Sequence, residues 1–501
     1  MPCTTILVGK KASYDGSTII ARNEDSGSLG FCPKRMRVVT PEEQPRHYVS
    51  VLSHVAIDLP DNPLRYTSVP NALDNEGIWA EAGVNSANVA MSATETLTTN
   101  ERVRGADPFV VLKPQKGTPG EKDFEPEVPG GIGEEDMVTL VLPYITSARE
   151  GVLRLGELLQ TYGTYEMNGI AFSDVDEIWW LETVGGHHWI ARRVPDDVYV
   201  TMPNQLGLDS FDLEDALGEQ KDHLCSPDLK EFIEKNHLDL SLDGKLNPRD
   251  AFGSHSDSDH VYNTPRAWAI QRFLNPHSNI WDGEGADFRP EDDDIPWCRT
   301  PERKVTIEDV KYALSLHYQG TPYDPYAHYG NISERGKYRP IGINRNGELA
   351  VIQLRPYEPE ASRAIQWMAF GSNVFNALVA LYANVDHLPE YLTNTTDTVS
   401  TESFYWQNRL IAALADAHFR ECNADIERYQ QEVPAQSYEI LAATDQEVRQ
   451  CSLSYQAATP VLEAANKAIC QALQRSTDKL LAQTLNTASL GMQNSFSKED
   501  A

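Results

Sequence analysis

Cys3, two residues from the start of the chain, is the first side chain that could do nucleophilic chemistry. Once residues 1 and 2 are removed, that one residue holds both a nucleophile and a base. The α-amine has a reference pKa of ~7.7–8.0 and the thiol ~8.5, so proton exchange between them near neutral pH costs little. Position alone favours a plainer reading, a small strand residue. The neighbourhood argues for chemistry. Residues 4–8 (Thr-Thr-Ile-Leu-Val) and 17–21 (Ser-Thr-Ile-Ile-Ala) are β-rich runs either side of the turn signal Tyr14-Asp15-Gly16. A hairpin paired symmetrically about that loop predicts Cys3 opposite Arg22, where a guanidinium lowers a thiol pKa.

Further elements must complete such a site. Residues 89–94 form a strand candidate, with Gly83 and Asn85 as turn residues before it. Residues 113–136 are rich in Pro, Gly and charge and read as a mobile loop. Leu140, Ile145, Val152, Leu155, Leu158 and Leu159 recur at helical spacing and predict a helix ending near Tyr162-Gly163. Gly185-Gly186 between 177–183 and 188–194 predicts a second hairpin, followed by a strand at 198–202. Residues 251–301 read as loop-rich and acidic. Arg345-Asn346-Gly347 between 341–344 and 349–354 predicts a third hairpin. Beyond residue 400 the pattern turns helical, from Leu410 and Ile411 to Leu480 and Leu481. The expected class is α+β, antiparallel sheets packed between helices. We divide the chain into a core over 3–360 and a mainly helical region over 361–501, packed on the core rather than independent.

Composition narrows the function. The chain has 501 residues, 41% hydrophobic and 23% charged, enough for a large folded core. With 43 basic and 74 acidic residues its formal net charge is −31, and no Lys/Arg stripe is present, which argues against nucleic acid or a membrane as partner. Seven scattered cysteines without CxxC spacing fit reduced thiols and a cytoplasmic location better than disulfides or zinc. No signal peptide or run of about 18 apolar residues stands out.

The chemical residues fall in segments that together resemble a known family. Cys3-Thr4-Thr5-Ile6-Leu7-Val8-Gly9, then Asp15-Gly16-Ser17 and Ala21-Arg22-Asn23-Glu24-Asp25, is similar to the start of the C69 dipeptidases. These are N-terminal-nucleophile (Ntn) hydrolases related to penicillin V acylase, conjugated bile acid hydrolases and secernins. The resemblance continues through residues 85–95, 177–197, Pro203-Asn204-Gln205 and Tyr262-Asn263-Thr264-Pro265-Arg266-Ala267-Trp268, to about residue 360 and more loosely into the tail. It implies an αββα sandwich, and dipeptide hydrolysis by Cys3 through a thioester without metal or cofactor. It also implies roles for matched positions. Arg22 and Asp25 would hold the thiolate and the amine. Asn204 would orient the N-terminal group and help stabilise the oxyanion, and Arg266 is a further active-site arginine. One departure stands out: where related acylases carry an oxyanion-hole Asn, this chain has Thr94-Glu95. A carboxylate cannot stabilise an oxyanion, so Thr94 or a backbone N–H is expected to do so, with Glu95 binding the free amine of a dipeptide. A second departure is Met1-Pro2, which must leave before Cys3 has a free amine. Attack by the Cys3 thiol on the preceding carbonyl is the family-like route.

Other signals read as structural. His187-His188, His255, His260 and His317 lack the fixed spacing of zinc ligands, and Glu291-Asp292-Asp293-Asp294 lacks the EF-hand pattern. Cys32 has no supporting context as a rival nucleophile. The apolar stripe of the tail reads as core, with a homo-oligomer face as its alternative. Two rival functions stand beside the dipeptidase: an acylase-like amidase on non-peptide linear amides, and a non-catalytic, secernin-like interaction protein.

Overall fold

The β-branched runs that open the chain form strands β1 (Cys3–Val8) and β2 (Thr18–Asp25), and every residue of both is buried. A strand covered on both faces lies between two layers, which explains the absence of polar alternation. The computed structural model describes residues 3–27, 30–73 and 76–492, and within these the side chains of Thr94 and Glu95 are not described. The expected departure of Met1-Pro2 therefore falls outside the described residues.

β1 and β2 are antiparallel, as expected, but the register differs: Cys3 pairs with Glu24, and Arg22 with Thr5. The expected Cys3–Arg22 pair is off by two positions. The connecting loop is not a tight symmetric turn, because its backbone bonds elsewhere. Lys11 N–H donates to Asp196 C=O at 2.7 Å and Tyr14 N–H to Val305 C=O at 3.0 Å. Gly9 makes this crossing possible, since a Cβ there would lie 2.4 Å from the Asp196 carbonyl oxygen. Asp15 then caps the Ser17 N–H at 3.0 Å and Gly16, at φ +86°, turns the chain into β2. A slip of two keeps every side chain on its face, so Arg22 still shares a face with Cys3, one diagonal step away.

β1 and β2 sit inside a seven-stranded antiparallel sheet ordered Cys298–Arg299, Tyr199–Met202, β1, β2, Asn346–Leu354, Ala364–Phe370, Val379–Tyr382. A six-stranded antiparallel sheet runs His223–Cys225, Trp189–Arg193, Ile178–Thr183, Asn168–Ser173, Ala90–Thr96, Ala82–Val84. The sheets meet where β1 and β2 contact Ala90–Thr96 and Asn168–Ser173. The helix Ala148–Tyr162 packs on the six-stranded sheet, while Phe404–Asp416, Phe419–Gln450 and Tyr455–Leu490 pack on or around the far strands of the seven-stranded one.

Several expectations are corrected. Residues 341–344 are not a strand; Asn346–Leu354 pairs instead with β2 and with Ala364–Phe370. Two strands of the larger sheet, Ala364–Phe370 and Val379–Tyr382, follow residue 360. The helix expected from Leu140 is interrupted: Met137–Val141 gives way to a 3₁₀ turn containing Pro143, and Ser147 caps a new helix. Residues 251–301 contain an eleven-residue helix, Thr264–Leu274, started by Pro265. Among the described residues no helix is long and apolar enough to cross a membrane.

Candidate active site

Each polar atom of Cys3 is held by a different side chain. The Sγ accepts a hydrogen bond from Arg22 Nη2 at 2.7 Å. The backbone N–H donates to Asn204 Oδ1 at 3.2 Å. The carbonyl accepts from Arg266 Nη1. Four elements converge here: β1, β2, the turn after Tyr199–Met202 and the helix Thr264–Leu274.

Arg266 does more than meet Cys3. Its Nη1 also donates to Thr4 Oγ1 at 2.7 Å, its Nη2 to Asn204 Oδ1 and Asn263 Oδ1, each at 2.7 Å, and its Nε to Tyr262 C=O at 2.7 Å. Asn204 Oδ1 thus accepts from two donors, which fixes the amide orientation, and Nδ2 donates to Thr96 C=O at 2.9 Å. The arrangement locks the main chain at Cys3 from both sides.

Both terminal nitrogens of Arg22 meet acceptors. Beyond the sulfur, its Nη1 donates to Glu81 and to Ala93 C=O (2.6 Å), and its Nη2 to Glu134 at 2.8 Å. Arg22, Glu81 and Glu134 are each at most 2% exposed. Burial pulls the Arg22 pKa down, but Cys3, Glu81 and Glu134 outweigh it and raise it well above the ordinary arginine value. The guanidinium is a permanent cation beside the sulfur.

A second cation backs the first. Lys34, wholly buried, lies 3.4 Å from Glu81 and 3.6 Å from Glu24, the strand partner of Cys3. Burial pushes the Glu24 carboxyl up to about 7, although Lys34 opposes the shift. Glu348, opposite Glu24 on the next strand, is driven well above the usual carboxylate range, again by burial. Neither Glu24 oxygen has a hydrogen-bond partner. Burial around Lys34 thus makes both the Glu24 and the Glu348 carboxyls harder to ionise than a free carboxylate.

The structure therefore brings Cys3, Arg22, Asn204 and Arg266 together. Asp25 bonds elsewhere: its carboxylate accepts from Arg339 and from Asn346 Nδ2. It lies one register position beyond the Cys3–Glu24 pair and on the opposite face of β2 from Arg22. The backbone of Thr94 and Glu95 lies at a register shift between Ala93 and Glu95, opposite Gly169; their side chains are outside the described residues. Sequence reasoning missed Glu81, Glu134, Lys34 and Asn263. Glu81 carried a signal, a lone carboxylate among Ile78, Trp79, Ala80 and Ala82. Glu134 carried none, for it closes the stretch read as a mobile loop, whose last residues, 130–136, are buried.

The remaining candidates occupy structural positions. His187 and His188 both bond Asp107, at 3.0 and 2.7 Å, and depress its carboxyl despite partial burial. His260 faces Asp293 at 3.1 Å and His317 faces Asp324 at 2.9 Å. Among the described residues no group of His, Cys, Asp and Glu is arranged to hold a metal ion, and no disulfide joins two cysteines.

The model of peptidase family C69 matches residues 2–432. A Bifidobacterium longum protein named "Dipeptidase" is 60% identical, with all of both chains covered. A Streptococcus pyogenes serotype M3 protein named "Probable dipeptidase A" is 53% identical over the full length of both. "Dipeptidase A" of Lactobacillus helveticus is 45% identical over 97% of this chain and 96% of its own. With a buried thiol, its guanidinium partner and a family match spanning most of its length, the chain belongs to peptidase family C69.

Proposed function

We propose that this protein hydrolyses dipeptides, with Cys3 as an N-terminal nucleophile and a thioester as intermediate. The observation that carries the reading is the anchoring of Cys3 at all three polar atoms, the sulfur by Arg22, the nitrogen by Asn204 and the carbonyl by Arg266. Relatives matched over nearly all of their own length and named dipeptidases supply the substrate class. Two facing antiparallel sheets with helices on the outer faces support an Ntn αββα sandwich.

The chemistry follows from that anchoring. Once the amine is free, the thiol proton passes to it and the thiolate, stabilised by Arg22, attacks the scissile carbonyl. Asn204 Oδ1 keeps the amine nitrogen in place during this transfer. The protonated amine gives its proton to the leaving amino acid, and water then cleaves the thioester. With Asn204 Nδ2 turned to Thr96, the oxyanion donor is assigned to Thr94 or to a backbone N–H at the register shift beside it, where a bulge re-aims the strand. Asp25, one position beyond Cys3, is assigned to the freed amine side of the site, positioned by Arg339 and Asn346.

The substrate test is a direct comparison. Purified enzyme is expected to turn over simple dipeptides with kcat/KM at least about 100-fold above that for acylated amines of similar size. The reverse preference would make the protein an acylase-like amidase. No turnover of either, with a thiol inert to alkylation, would leave a non-catalytic protein.

A further inference from the structure

A dipeptidase has to recognise the charged ends of its substrate, and the geometry around Cys3 points to a residue for one of them. Arg22 Nη2 touches the sulfur on one side and Glu134 Oε1 on the other, so the Glu134 carboxylate lies one guanidinium nitrogen from the nucleophile. The backbone N–H of Glu134 in turn donates to Glu166 Oε1 at 2.7 Å. Glu134 is committed to Arg22, whereas no Arg or Lys among the described residues forms an ion pair with Glu166. Glu166 is partly buried while Glu134 is fully buried, so Glu166 is the less enclosed carboxylate of this corner.

An independent feature marks the same corner as built for a polar group. Asn168, fully buried and adjacent to Glu166, has neither side-chain atom in a well-formed hydrogen bond. A buried amide whose hydrogen bonds are not well formed has donor and acceptor capacity left for a polar ligand. Burial, and after it the charge of Glu134, makes the Glu166 carboxyl harder to ionise than usual and brings it to about 7. Arg22 pairs with Glu134 and Glu81 and not with Glu166, so a further positive charge would meet the Glu166 carboxylate.

Substrate geometry matches. In a peptide, the α-nitrogen lies about 2.5 Å from the carbonyl carbon of the same residue, by standard bond lengths and angles. A scissile carbonyl seated on the Cys3 sulfur therefore carries its ammonium within a few ångströms of the Arg22–Glu134 pair. We propose that the Glu166 carboxylate, backed by Glu134 and flanked by Asn168, binds the free α-ammonium of the substrate's N-terminal residue and so restricts turnover to unblocked short peptides. Glu95, the sequence-based candidate for this contact, pairs through its backbone with Gly169 and so stands at the same sheet end. The assignment rests on the dipeptidase reading and deepens it.

The experiment compares kcat/KM for alanyl-alanine and N-acetyl-alanyl-alanine in the wild type, Glu166→Gln, Glu166→Ser and Glu95→Gln, with thermal melting to confirm folding. Wild type is expected to prefer the free amine. In both Glu166 variants that preference is expected to fall by about 10- to 100-fold, chiefly through KM, as befits loss of a charged hydrogen bond. A folded Glu166 variant, either one, that keeps the full preference overturns the assignment. So does loss of the preference in Glu95→Gln alone. Failure of the wild type to cleave any dipeptide is a different outcome: it removes the dipeptidase reading itself, and with it the assignment.

Discussion

Cys3→Ala is expected to lower dipeptide turnover by at least about four orders of magnitude, the scale seen when a covalent nucleophile is removed. The fold should survive the change. The replacement removes one sulfur from a buried strand residue, while Arg22 keeps Glu81, Glu134 and the Ala93 carbonyl, and the main chain keeps Asn204 and Arg266. Melting temperature and activity should therefore separate cleanly. Measurement of kcat/KM beside a thermal melt checks both. Substantial residual activity in the folded variant would move the nucleophile elsewhere.

Arg22→Met should fail on both counts. The guanidinium satisfies two buried carboxylates, a carbonyl and the sulfur at once. Removing it strands Glu81 and Glu134 in a dry interior, a loss of about 3–5 kcal/mol when one partner of a buried pair is deleted. The sign of the chemical effect is equally definite. A thiolate without a neighbouring cation is harder to form, so the pH at which the thiol is alkylated should move upward. Turnover is expected to fall by about 100- to 1000-fold, the range for loss of an electrostatic contact to the reacting group. Arg22→Lys should recover part of the stability and little of the activity, because three donors on a flexible stem cannot meet four fixed acceptors. A variant of either kind with an unchanged alkylation profile would show that Arg22 does not act on the sulfur.

The parts of the fold that were legible in the sequence are those set by local pattern. The Gly185-Gly186 hairpin appears as Ile178–Thr183 paired with Trp189–Arg193, and the apolar stripe beyond residue 400 becomes three helices. What local pattern does not encode was misread. The β1–β2 register depends on loop bonds to Asp196 and Val305, nearly 200 and 300 residues away. Asn346-Gly347 looks like a turn, yet Asn346 opens a central strand because its side chain bonds Asp25 and its backbone completes the ladder to β2.

The site divides along the same line. Cys3, Arg22, Asn204 and Arg266 lay within segments that resemble a family, and these segments meet in space. Glu81, Glu134 and Lys34 come from stretches with no period and no motif. They are found only once the chain has folded, where Glu81 and Glu134 are the counter-charges of Arg22 and Lys34 pairs in turn with Glu81. Asp25 falls near Cys3 along the strand, with its hydrogen bonds to Arg339 and Asn346.

The most direct measurement is the intact mass of the purified protein, wild type beside Cys3→Ala, together with the activity of the same preparation. The expected result is a wild-type chain that begins at Cys3 and is active, and a Cys3→Ala chain that retains Pro2 and is not. A wild-type chain still carrying Pro2 and fully active would contradict it, because a nitrogen locked in an amide cannot accept the thiol proton.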